Sequence, residues 1–286
     1  MPIENPPIEN PPRRTFFAEI ETVLHALNIY GAAGIAAFGW AMGCFLGVDG
    51  APWLPLWFCA ALLIYNCDRL RCDPADQLNI PRRAAACARW RPAIRGAVIG
   101  SALVLIGLPV WRRDWVTLYL VIAGSIVSLG YTIPVLGWRW KDVPLVKTLF
   151  APTVVTAAVF GLMLDTDTYA LSGWAWCYLF FNMLLCDLRD RTGDALCGVR
   201  SIAVVFGEKG SRRLLWALAC AGQVLLVALI RLDPAIANGL ALLAPLAGFY
   251  QAWLIYATRH PRSERFYEWA VEGLLYLPAL AWVLAR

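Results

Sequence analysis

Nine apolar stretches follow one another along the chain, at residues 20–48, 52–68, 93–111, 115–135, 144–164, 170–187, 211–230, 235–257 and 266–285. Each approaches the roughly 20 residues that carry a helix across a bilayer. The stretches are continuous, not alternating, which excludes a transmembrane β-barrel. The pattern predicts an all-α polytopic membrane protein with nine transmembrane helices. Ahead of it, Ile-Glu-Asn-Pro-Pro occurs twice. Paired prolines prevent helix and the polarity prevents burial. Residues 1–16 are therefore expected to form a disordered cytoplasmic tail, not a cleavable signal peptide, which would need an apolar core. Residues 17–286 are expected to form a single transmembrane domain.

Composition agrees: 60% of residues are hydrophobic and 16% charged, against roughly 25% charged in soluble proteins. The net charge of +5 is no nucleic-acid signal, because the basic residues sit between the apolar stretches. All but Arg112, Arg113, Arg231 and Arg286 fall in the tail or around the even-numbered loops. That bias puts the N-terminus in the cytoplasm and the C-terminus on the opposite side of an inner or plasma membrane. The nine cysteines have no metal-ligand spacing, and no disulfide framework is expected on the reducing side.

Two even-numbered stretches end in acidic clusters. After the sixth come Asp187, Asp190 and Asp194, spaced by three and four, so a continuing helix puts them on one face. Charges at the end of a membrane helix are costly unless they line a wet cavity or bind an ion. Carboxylates suit a hard cation such as magnesium, which suits phosphate. Arg189, Arg191 and Arg200 offer a purely structural alternative, an ion-pair network. After the second stretch come Asp68, Asp73 and Asp76. They span an arc of about 140° if the helix continues, although Pro74 is able to kink it or to start a new helix. A solvated loop that fixes topology through its arginines explains this cluster equally well. The basic run Arg139-Trp-Lys141, with Lys147 nearby, has the same two explanations.

These residues carry a resemblance. The chain resembles the UbiA superfamily of intramembrane prenyltransferases, whose second aspartate motif is matched by Asp187, Asp190, Gly193, Asp194, Gly198, Arg200, Ser201, Val204 and Gly207. At the first motif Asp76, Asn79, Pro81 and Arg83 match, Asp68 takes an asparagine position, Cys72 stands where an aspartate is usual, and Asp73 follows one residue later. The resemblance implies nine helices around a central cavity. It also implies Mg2+-dependent transfer of a prenyl group from a polyprenyl diphosphate to a small aromatic or quinone-precursor acceptor in the membrane. It makes Asp68, Asp73, Asp76, Asp187, Asp190 and Asp194 metal ligands. Arg139, Lys141, Lys147, Arg83, Arg200 and Asn66 become diphosphate ligands. Asp190, Asp194, Asp76, Lys141 and Tyr131 are the catalytic candidates.

A terpene cyclase on the same scaffold, or a lipid- or pigment-binding protein without activity, would use the same site. A secondary transporter fits less well, because the charges gather on one side and no inverted repeat is evident. Other polar positions within the stretches, His25, Asn28, Gln223 and Gln251, are expected to bridge helices. Glu268 and Glu272 lie one turn apart, and the deep Glu272 has no partner that the sequence names.

Overall fold

The computed structural model describes residues 16–134, 139–163, 169–232 and 237–286. The tail, apart from Phe16, and residues 135–138 of the basic loop lie outside the described residues. Those described form helices and connecting turns without a β-strand.

The first apolar stretch is two helices, α1 (Phe16–Ala26) and α2 (Ile29–Phe45), bent by 61°. The break falls at Asn28, which is left-handed with φ 57°. Helix α3 (Leu54–Leu70) pins it. Arg69 Nη1 donates to the carbonyls of His25 (2.5 Å) and Ala26 (2.8 Å), and Asn66 Nδ2 donates to that of Leu27 at 2.9 Å. Carbonyls orphaned where a helix ends are thus satisfied from the neighbouring helix.

Pro74 starts a new helix. Cys72 turns left-handed (φ 53°), and Asp73 caps α4 (Pro74–Asn79), accepting from Ala75 N–H at 3.1 Å. Helix α5 (Pro81–Arg89) follows. Its first amides, those of Arg82 and Arg83, donate to the carboxylate of Glu264 at 2.9 and 3.0 Å.

Helices α6 (Arg91–Arg112) and α7 (Trp115–Thr132) form a hairpin, with Asp114 accepting from Thr117 N–H at its turn. They expose Leu103, Tyr119 and Ile126, and set Trp111 and Trp115 at the hairpin end. Such a surface suits lipid, with aromatics at the interface. Helix α8 (Val146–Phe160) leads to α9 (Tyr169–Leu196), which packs against α4, α8 and α10 (Ile202–Leu232). Helix α9 extends nine residues beyond the expected apolar end at 187, because its polar face stays helical through Asp194. Helix α11 (Ala237–Ala257) completes the regular elements. The last stretch is interrupted: α12 (Glu264–Phe266), a π-helical turn (Tyr267–Val271), a 3-10 turn (Leu274–Tyr276) and α13 (Leu277–Leu284).

Helical segments occupy all nine expected stretches. Among the described residues, five helices are long and apolar enough to cross a membrane, or six if the bent α1–α2 pair counts as one span. Helices α3 and α8 are shorter and the last stretch is broken, so five or six spans, not nine, are supported among the described residues. The core is built on α9, whose Trp174, Tyr178 and Phe181 are buried against Phe38 of α2 and neighbouring aliphatics.

Candidate active site

A cavity of about 210 Å³ opens between α2, α3, α8 and α9 and the interrupted last stretch. Its apolar wall includes Ile35, Trp57, Ile64, Phe150, Val154 and Val159. Its charged lining comprises Asp68, Arg69, Asp76, Arg83, Lys147, Asp187, Arg189, Asp190 and Glu272. Two aspartates of each acidic cluster line this one cavity, whereas Asp73, Asp194 and Lys141, expected at the same site, do not.

The second cluster is held by cations and short polar contacts. Lys147 Nζ lies 2.5 Å from Asp194 and 3.8 Å from Asp187. Thr148 Oγ1 donates to Asp187 and accepts from Ile202 N–H at 3.0 Å, fastening α8 to α9 and α10. Arg189 grips Asp190 with two nitrogens at 2.6 and 2.9 Å. Gly198 closes α9 in the left-handed conformation (φ 74°), a position that glycine adopts without a Cβ penalty.

The first cluster is not one helix face. Lys141 Nζ sits 2.9 Å from Asp68 and 2.8 Å from Asp73, and Arg139 Nη1 is 3.2 Å from Asp73. Burial works against the charges of Asp73 and Lys141. The pairing outweighs it, holding the Asp73 carboxyl below and the Lys141 ammonium above their ordinary ranges. Asp76 has no ion-pair partner among the described residues, and burial pushes its carboxyl up. Tyr131 lines the cavity, stacks on Phe150 with ring centroids 4.6 Å apart, and has Lys141 Nζ 6.0 Å from its ring centre.

Several of the expected site residues lie away from the cavity wall. Asp73 is a helix cap in an ion-pair triad and does not line this cavity, because the chain turns at Cys72 and does not continue as helix. Asn66 is buried, its amide nitrogen is committed to the α1–α2 break, and it does not line the cavity. Arg200 is exposed beyond the end of α9, and its carbonyl, not its guanidinium, is engaged, accepting from Leu145 N–H at 2.9 Å. Arg139 reaches Asp73 and Asp142 without lining the cavity. Thr148 and the cavity-lining Tyr65 and Arg69 were not singled out, and nothing in their spacing marks them.

No group of three or more His, Cys, Asp or Glu side chains forms a ready-made metal cage among the described residues. The donors nevertheless fit magnesium. Asp187 Oδ1 is buried without a hydrogen-bond partner, and Asp76, without an ion-pair partner among the described residues, lines the same cavity. Mg2+ is commonly held by one or two carboxylates together with substrate phosphates, not by an all-protein shell.

Long apolar helices around a cavity lined by carboxylates, Lys147 and an apolar wall define an integral membrane protein of the helical class. The UbiA prenyltransferase family model matches residues 88–272, and the chain belongs to that family. No curated protein and no solved structure matches it significantly. The matched region contains the second aspartate cluster and begins after the first.

Proposed function

We propose that the protein transfers a prenyl group from a polyprenyl diphosphate to an aromatic or quinone-precursor acceptor inside the membrane. The supporting observation is that Asp68 and Asp76 share an apolar-walled cavity with Asp187, Asp190 and Lys147. The prenyl tail would lie along the apolar wall and the diphosphate at the charged end. Asp76, Asp68, Asp187 and Asp190 are the residues that would hold Mg2+, which neutralises the diphosphate as it leaves. Lys147 and Arg83 add positive charge where oxygen charge develops. The enclosed wall keeps water from the allylic cation, and the faces of Tyr131 and Phe150 attract it through their quadrupoles. In this reading the charged end of the bundle and the N-terminus face the cytoplasm, which the bias of the basic residues supports.

The test is a mass-spectrometric screen of purified protein with Mg2+, several prenyl diphosphates and aromatic acceptors. A prenylated acceptor is expected. Cyclised hydrocarbon made without acceptor would replace transfer by cyclisation. Absence of diphosphate release with every donor would overturn the reading.

A further inference from the structure

The interrupted last stretch brings a carboxylate without an ion-pair partner among the described residues to the cavity. A π-helical turn and a 3-10 turn inside a membrane segment leave carbonyls that must find other partners. Here they find side chains. Tyr250 donates to the carbonyl of Ala270 (2.8 Å), Asn182 to Val271 (2.6 Å) and Tyr178 to Leu274 (2.8 Å). The irregularity is therefore built and held, and Glu272 sits within it. Glu272 lines the cavity and makes no hydrogen bond or ion pair among the described residues. Gly31 leaves room beside it: a Cβ there would lie 3.1 Å from Glu272 Oε2 and 2.8 Å from Asn28 Oδ1. Asn28 also lines the cavity and is 97% buried, being 3% exposed. Its Oδ1 accepts from Arg69 at 3.1 Å, while its Nδ2 is a buried donor without a partner.

An open carboxylate acceptor next to an unused amide donor matches a hydroxyl, which donates one hydrogen bond and accepts another. We propose that Glu272 and Asn28 form the acceptor subsite and select a substrate by its hydroxyl group. Glu272 accepts the hydroxyl proton in a hydrogen bond and Asn28 Nδ2 donates to the hydroxyl oxygen. Diphosphate occupies the lysine-bearing part of the same cavity, and Arg83 and Arg69 are the cations that act on Glu272. The subsite rests on the transferase reading for its role in turnover, but its binding chemistry is testable without turnover.

The experiment is calorimetric titration of detergent-purified protein with 2-naphthol and with 2-methoxynaphthalene, which lacks the donor. Wild type is expected to favour 2-naphthol. Glu272→Ala is expected to weaken 2-naphthol about tenfold or more, the size of a lost charged hydrogen bond, and to leave the ether unchanged. The isosteric Glu272→Gln serves if the alanine variant fails to fold, and is expected to show a smaller loss. Equal affinity of the two compounds for wild type, no binding of either, or unchanged 2-naphthol binding in the folded variants would each overturn the subsite. Mg2+-dependent binding of geranyl diphosphate is measured in parallel. It is expected to be the same in wild type and variants, and its absence from wild type would count against the transferase reading alone.

Discussion

Gly193 donates its amide N–H to Asn79 Oδ1 at 2.9 Å, so the helix of the second aspartate cluster is joined directly to the short helix of the first. Asn79 Nδ2 continues to Asp194 Oδ1 at 3.4 Å. A Cβ at position 193 would collide with the Asn79 amide, which leaves no residue but glycine for this approach. Gly193→Ala should therefore push α4 from α9, at a cost of about 1–3 kcal/mol. Turnover should fall at least as far as in Asn79→Ala. The double variant should be more stable than the sum of the two losses predicts, since removing the Asn79 amide makes room for the methyl. Thermal unfolding in detergent reads the three variants, and simple additivity would disprove the contact.

Asp76 offers a way to separate binding from stability. Among the six aspartates of the two clusters, the others each have a cationic partner within 4 Å, and Asp76 has none among the described residues. Burial raises its carboxyl, so its ionised form weakens the fold at neutral pH. Asp76→Asn should leave the apo unfolding midpoint unchanged or slightly higher. It should also abolish the rise in midpoint that geranyl diphosphate with Mg2+ gives wild type. A variant that keeps the full ligand-induced rise would remove Asp76 from the site.

Asp73 should behave in the opposite way. Its carboxyl is buried, yet the contacts from Lys141 and Arg139 hold it below the ordinary range. A depressed folded-state value means that its stabilisation is complete above the unfolded value of about 3.9 and is lost as pH falls through the folded value. Asp73→Asn should lower the midpoint at pH 7 and flatten its decline below about pH 4. Parallel acid limbs in wild type and variant would show that the triad contributes nothing.

The second cluster was legible because spacings of three and four identify a helix face whether or not the helix is seen. Asp187, Asp190 and Asp194 needed only a continuing α9 to converge. The first cluster was not legible in this way. Its geometry turns on Cys72, a left-handed residue that no propensity assigns to cysteine. The turn makes Asp73 a cap in place of a face residue. The cations were visible as residues but not as partners: Lys141 and Lys147, six positions apart, go to different clusters. The hydropathy of residues 266–285 showed a span and hid its interruption, because the π-helical turn depends on Asn182, Tyr178 and Tyr250 from α9 and α11.

The proposed orientation is open to labelling. Cys72 and Cys197 are exposed and lie beside the two aspartate clusters, whereas Cys87 is buried. A membrane-impermeant maleimide should modify Cys72 and Cys197 in inverted vesicles and spare them in right-side-out ones. Labelling of either from the outer face would reverse the topology.

Lys147 carries the strongest stability prediction. Its ammonium lies between two carboxylates whose side chains are 1% and 0% exposed. Removing one member of a buried pair leaves the remaining charge unsolvated and costs about 3–5 kcal/mol. Here two like charges would be left facing each other. Lys147→Met should therefore lower the unfolding midpoint sharply, and Lys141→Met less so, because Asp68 is 29% exposed and water takes over part of its charge. Adding Asp194→Asn to Lys147→Met removes one of the stranded charges and should restore much of the midpoint. Activity should not return with it, since the diphosphate end would still lack its lysine. Recovery of stability without turnover separates the two roles of Lys147. A wild-type midpoint in Lys147→Met alone would show that the bridge does not hold the fold.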